Sequence, residues 1–135
     1  RDKLAAAYQE SVFSFNLARL AYERKQYGSA LPLLQKAEYK DLLLNLPAKT
    51  LQLKIYFELD ETDLLDAHLS AFKTFLRRKK ELGYHRENYL NTIYFTRKLL
   101  EINPLKKSER TALRLELEAT NGVGEKEWLL GQLGL

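Results

Sequence analysis

An all-α fold is what this sequence predicts, and three observations predict it. Apolar residues recur at three- and four-residue steps over most of the chain, helix breakers are scarce, with six glycines and three prolines in 135 residues, and the chain matches itself when displaced by 35 positions. Alternation at a period of two runs over no useful length, so no strand is expected. Hydrophobic residues at 45% and charged residues at 30% exclude a disordered tail, and the length suits one compact domain that needs no metal or disulfide to fold.

The first helix is expected over about Asp2 to Lys25, where Phe13, Leu17, Leu20 and Arg24 fall on one stripe and Phe15, Ala18 and Tyr22 on another. Gln26-Tyr27-Gly28-Ser29 reads as a break. With Ser29 as N-cap, Pro32 would sit in the first turn of a second helix reaching about Tyr39, where a missing N–H is harmless; a start nearer Tyr27 would put the proline inside. Lys40 to Leu46 is apolar, and Asn45-Leu46-Pro47 reads as the opening of a third helix that ends at Leu59. That helix carries two stripes, Ala48, Leu51, Ile55 and Leu59 against Leu53, Tyr56 and Phe57, as a helix packed on more than one side requires.

Asp60-Glu61-Thr62-Asp63 breaks the chain again. A fourth helix from about Asp63 to Leu82 has acids at its positive end, Arg77-Arg78-Lys79-Lys80 at its negative end, and Gly83 placed as a left-handed cap. The fifth is expected over His85 to Ile102. Asn103-Pro104 closes it and can cap a sixth that ends near Ala119. After the turn Thr120-Asn121-Gly122-Val123-Gly124, a last helix over about Glu125 to Leu133 carries Trp128, Leu129 and Leu130.

Several chemistries are excluded at once. Without cysteine there is no thiolate metal site, thiol nucleophile or disulfide. His68 and His85 belong to no HExxH pattern, and the acids Glu58, Asp60, Glu61, Asp63 and Asp66 lack the ligand spacing and glycine of a calcium loop. Gly122-Val123-Gly124-Glu125-Lys126 lacks the spacing of a phosphate loop, no strand precedes it, and no nucleophile elbow occurs. No catalytic, cofactor-binding or metal-binding residue is therefore assigned, and no enzyme activity or cofactor is expected. The apolar runs are far below the roughly 20 residues of a membrane span, so no membrane insertion is expected and a cytoplasmic location is. The chain opens at Arg1 and contains no methionine, which predicts that it is part of something longer.

The displacement by 35 sets Ala18 on Leu53, Leu20 on Ile55, Tyr22 on Phe57, Ala30 on Leu65, Leu34 on Leu69 and Ala37 on Phe72. Such a unit is a helix pair that buries its apolar faces by stacking on a neighbour. The first unit resembles the tetratricopeptide repeat, whose usual length is about 34: Leu17-Ala18, Tyr27, Ala30, Leu34 and Ala37 stand at its signature positions. Ser14 replaces the family's large residue and Lys25 its glycine. The second unit is a weaker version in which Tyr56, Leu65, Leu69 and Phe72 fit, while Thr62 stands at the loop aromatic and Asp60 at the glycine. Degenerate repeats of large bacterial proteins are similar. The resemblance implies an α-α superhelix, a solenoid of about three helix pairs at 11–44, 46–82 and 84–119 with a capping helix at 124–134, forming a single repeat domain over 1–135.

In that family the first helix of each pair lines a groove that binds extended peptides or partner helices. The resemblance places Val12, Phe15, Arg19, Tyr22 and Glu23 there, followed by Pro47, Thr50, Lys54, Phe57 and Glu58, so that cation, aromatic and anion alternate. Phe15, Arg19, Tyr22, Glu23, Lys54, Phe57 and Glu58 are the partner-binding candidates, for a protein or peptide partner. The alternatives are a purely structural domain or polyanion binding through Arg77 to Lys80, with Lys73 nearby, and through Lys106, Lys107, Arg110 and Arg114. A basic last turn also complements the helix dipole without any partner, interleaved aromatics are missing, and the net charge of +4 is mild, so nucleic acid is not the expected ligand. Trp128, Leu129, Leu130 and Leu133 suit a cap over the end of the stack, or a homodimer contact if that helix projects.

Overall fold

The computed structural model describes residues 2–37 and 42–134. Among them run seven α-helices and no strand: α1 (Asp2–Glu23), α2 (Tyr27–Ala37), α3 (Leu42–Glu58), α4 (Thr62–Arg78), α5 (His85–Glu101), α6 (Lys107–Ala119) and α7 (Lys126–Leu133), with one 3-10 turn at Lys80–Leu82. The expected end of the second helix at Tyr39 and the start of the next segment at Lys40 lie outside the described residues. No helix among the described residues is long and apolar enough to cross a membrane. The chain divides into two compact units, Arg1–Leu69 and Ser70–Leu135, the boundary falling inside α4.

In the first unit α1 packs on α2 and α3, and α2 on α3. One cluster of its core sets four alanines, Ala18, Ala21, Ala30 and Ala48, among Leu34, Leu51 and Ile55, and Leu46, Leu53, Leu65 and Leu69 are buried in the same unit. Ser11 and Ser14 are buried on the same side of α1, and the Ser11 hydroxyl satisfies itself on the Ala7 carbonyl at 3.0 Å. Small side chains let helix backbones approach closely. Of the two stripes read from the sequence on this helix, Phe15, Ala18 and Tyr22 face the core and the other does not. Phe13, at 64% exposure, and Leu17 and Leu20 lie on the surface. Leu59, expected at the end of an α3 stripe, lies past the helix and is exposed, whereas Ala48, Leu51, Leu53 and Ile55 are buried.

Two turns 35 residues apart share one geometry. Lys25 and Asp60 have positive φ, 59° and 57°. After α1 the Lys25 N–H bonds the Tyr22 carbonyl at 2.9 Å and the Gln26 N–H bonds the Ala21 carbonyl at 2.8 Å. After α3 the Asp60 N–H bonds Phe57 at 3.1 Å and Glu61 N–H bonds Tyr56 at 3.0 Å. This is the paired 5→2 and 6→1 pattern of a Schellman cap. The positions Ala18 and Leu53, Ala30 and Leu65, Leu34 and Leu69 are each fully buried in step, while Leu20 and Ile55 part company, one exposed and the other not.

Both prolines differ from their expected placement. α2 starts at Tyr27 and α3 at Leu42, so that Pro32 and Pro47 lie inside their helices. Because Gln26 ends the Schellman turn and its carbonyl already accepts from Ser29 and Ala30, both at 3.1 Å, the helix begins at once and Ser29 is not its cap. Pro32 cannot donate to the Gly28 carbonyl, but both residues are exposed, where water can substitute and the cost is less than in a buried helix.

In the second unit α5, α6 and α7 pack on one another. Phe95, Leu113, Leu117, Leu129 and Leu133 form its core, with Leu99, Ile102, Val123, Trp128 and Leu130 against it. The apolar face of α7 is thus used inside the unit. Two boundaries move relative to expectation. α4 ends at Arg78 and hands over to the 3-10 turn, so Gly83 follows that turn with φ 56° and ψ −133°, outside the left-handed helical region expected of it. α6 starts at Lys107 rather than at Asn103-Pro104, since the Asn103 side chain accepts the Leu105 N–H at 3.0 Å and holds the proline in a separate turn. The turn before α7 is tied to α5 by Gly124 N–H to the Asn88 carbonyl at 3.2 Å and Asn91 Nδ2 to the Gly122 carbonyl at 2.9 Å.

Candidate functional site

The polar constellation of the first unit is built where α1 ends, α2 begins and α3 ends. Glu58 is the last residue of α3, and its carboxylate accepts two phenolic hydroxyls. Tyr22 Oη donates to Oε2 at 2.5 Å and Tyr27 Oη to Oε1 at 2.6 Å, distances proper to charge-assisted O–H···O⁻ bonds. The two rings lie 5.9 Å apart and tilted by 47°. Lys54, one turn before Glu58 on α3, holds its ammonium 6.0 Å from the Tyr22 ring centroid, at the outer reach of a cation–π contact. One aromatic node therefore stands between a cation and an anion.

The hydrogen bond to Glu58, then burial, then the negative charge of Glu58 push the Tyr27 hydroxyl up from 10.0 to about 12. Each of these disfavours the phenolate, so Tyr27 remains a donor through the whole physiological range. The arrangement holds a carboxylate in a fixed direction. It contains no nucleophile paired with a base.

The sequence-derived candidates fall into three sets. Tyr22, Lys54 and Glu58 are brought together. Arg19 and Glu23 are exposed on α1 and make no ion pair with any described residue. Phe15 and Phe57 are half-buried, and Phe15 packs against the core of the unit. Of the wider groove set, Val12 and Pro47 are half-buried, but Thr50 is turned inward, buried, with its hydroxyl on the Leu46 carbonyl at 2.9 Å, so it does not line a surface. The register that matched Tyr22 to Phe57 and Glu23 to Glu58 describes equivalent positions; the contact made is Tyr22 with Glu58.

Tyr27 is the residue that sequence reasoning placed in the break between helices, as the loop aromatic of the resemblance, and not at the site. Its signal was present: Tyr27, Ala30 and Leu34 are spaced at three and four, which already places Tyr27 on the inner face of α2. Elsewhere in the unit, His68 has a structural role, its Nε2 bonding the Lys49 carbonyl at 2.8 Å and its ring edge-on to Tyr56 at 5.6 Å.

The two basic stretches differ. On and beside α6, Lys106 meets Glu109 at 3.7 Å and Arg114 meets Glu118 at 3.5 Å, while Arg110 donates to the Leu133 carbonyl at 3.2 Å. Arg77, Arg78, Lys79 and Lys80 make no ion pair with any described residue. Comparison with known protein families, with characterised proteins and with solved structures finds no match to this chain.

Proposed function

We propose that this chain is a degenerate tetratricopeptide-like repeat segment that works without chemistry of its own, as a scaffold binding an extended peptide or helix of a partner protein. The partner lies along the face that carries Arg19, Tyr22, Glu23, Lys54, Phe57 and Glu58. The observation that carries this reading is the convergence of Lys54, Tyr22 and Glu58 into one fixed cation–aromatic–anion set, with Arg19 and Glu23 left uncompensated on the same stretch of α1. Aromatic rings supply buried area at small entropic cost and preset charges supply orientation, the combination that peptide recognition uses. The pair of identical Schellman turns at Lys25 and Asp60 supports the repeat reading, because a repeat places equivalent turns at equivalent positions.

Selection of a displayed random-peptide library on the immobilised chain tests it. A shared charged motif should be enriched, and Arg19→Ala with Lys54→Ala should weaken the selected peptides at least tenfold while the helical circular dichroism is unchanged. No enrichment, or peptides indifferent to both substitutions, overturns the groove.

A further inference from the structure

The chain's positive charge is confined to one unit. Residues 1–69 carry 9 basic and 10 acidic side chains, residues 70–135 carry 13 and 8. Within the second unit, Lys106 and Arg114 are paired with Glu109 and Glu118, and Arg110 donates to the Leu133 carbonyl. The densest run of positive charge lies between residues 73 and 86, which hold Lys73, Arg77, Arg78, Lys79, Lys80 and Arg86 and one acid, Glu81. A helix macrodipole amounts to about half a charge, so six cations at the end of α4 and just beyond exceed anything capping requires.

The same segment carries the aromatics that the sequence did not reveal as a surface feature. Tyr84 is 77% exposed and stacks on His85, with centroids 4.2 Å apart and planes 33° from parallel. Lys79 lies over the Phe75 ring at 5.1 Å. Consecutive short-range bonds hold the cations and the stack in one compact turn: Leu82 N–H to Lys79, Gly83 to Lys80 and Arg86 to Gly83, each at 3.2 Å. Gly83 has open space around it, so no protein atom covers the turn there.

Uncompensated cations along a short path and an exposed, pre-stacked ring at its end are the two components of single-stranded nucleic-acid recognition: charges track the phosphodiester backbone and the ring receives a base. We infer that the α4–α5 turn is a single-stranded nucleic-acid site, with Arg77, Arg78 and Lys80 on successive phosphates and Tyr84 as the stacking platform. A peptide with acidic side chains would use the charges and leave the Tyr84 face idle. This site and the proposed peptide face lie in different units, so either can fail alone.

Fluorescence anisotropy of a labelled single-stranded oligonucleotide of about 15 nucleotides, titrated with the whole chain at several salt concentrations, tests the inference. The doubly substituted Arg77→Gln, Arg78→Gln protein should bind at least tenfold more weakly, and its salt dependence, log K against log salt, should be shallower by about 1.4, the loss of two phosphate contacts. Tyr84→Ala should weaken binding by about five- to a hundredfold at unchanged salt slope, and Tyr84→Phe should restore it. All these side chains but the Phe75 ring are at the surface, so circular dichroism should be unaltered. Absence of binding by the natural chain overturns the inference, as does a Tyr84→Ala protein of undiminished affinity or an equal affinity for duplex DNA.

Discussion

Residues 1–69 and 70–135 spend similar lengths of chain on the same kind of element, yet they are filled and charged differently. The first sets four buried alanines, Ala18, Ala21, Ala30 and Ala48, among seven larger buried apolar residues, and no described alanine of the second is buried. The second closes on Phe95, Leu113, Leu117, Leu129 and Leu133, with Trp128 against them. Contacts between small residues demand particular positions, because the backbones approach closely there, whereas a leucine-filled core accepts many arrangements of equal volume. The residues paired by the displacement of 35 fall almost all within residues 1–69, only Phe72 lying beyond. The charge asymmetry runs the same way, with the proposed peptide face in the near-neutral unit and the proposed nucleic-acid site in the basic one.

The two cores should fail in opposite directions. Leu129→Ala leaves a cavity in the second unit and should cost about 2–5 kcal/mol, read in urea by the fluorescence of Trp128, the single tryptophan. Ala18→Leu overpacks the first unit and should cost about 1–3 kcal/mol, read by circular dichroism. A Leu129→Ala protein of nearly natural stability would mean that α7 does not close the core, and a neutral Ala18→Leu would remove the close approach of α1 on which the comparison rests.

That contrast also explains what the sequence disclosed. All seven helices follow from periodicity, and the breaks at Gln26, Asp60, Gly83 and Thr120 from turn chemistry. The prolines misled because a proline suggests a helix start, while the start of α2 is set by the αL residue Lys25 and the tight turn after it, which no propensity for lysine would announce. Of the two stripes on α1, the one with the larger side chains, Phe13, Leu17 and Leu20, is exposed, and α1 turns Ser11, Ser14, Ala18 and Ala21 inward, two of them serines that no apolar pattern would show. At the candidate site, Tyr22, Lys54 and Glu58 were legible as kinds of residue at matching positions. Their joining through Tyr27 was not, since a contact between residues 31 apart depends on how three helices meet.

The Tyr27 bond gives a medium-sized effect and a pH signature. Tyr27→Phe should cost about 1 kcal/mol at neutral pH, one hydrogen bond to a charged acceptor that Tyr22 still partly satisfies. Its hydroxyl is raised to about 12 in the folded chain from 10.0, so the folded state holds the proton more tightly. The stabilisation is therefore fully present below pH 10 and is lost as pH rises from 10 towards 12. The gap between natural and Tyr27→Phe proteins should narrow over that interval. Tyr89 and Tyr94 are also raised, chiefly by burial for Tyr89 and by its bond to Glu116 for Tyr94, but both proteins carry them and the difference cancels their contribution. A gap independent of pH would mean that Tyr27 does not donate to Glu58.

The smallest effect tests whether the two turns are equivalent in energy as they are in geometry. An L-residue in the left-handed region is strained by about 1–2 kcal/mol, less for aspartate, whose short polar side chain hydrogen-bonds locally, and glycine relieves that strain while adding freedom to the unfolded chain. Lys25→Gly should accordingly raise stability by about 0.5–1 kcal/mol and Asp60→Gly by less. Urea midpoints of the two single variants decide the matter. If both gain in that order, the turns differ only in the residue each places at the αL position, and a non-glycine residue there is a strain that both turns carry. A loss at Lys25 would instead show that its side chain holds the turn, and the identity of the two caps would be one of hydrogen bonds alone.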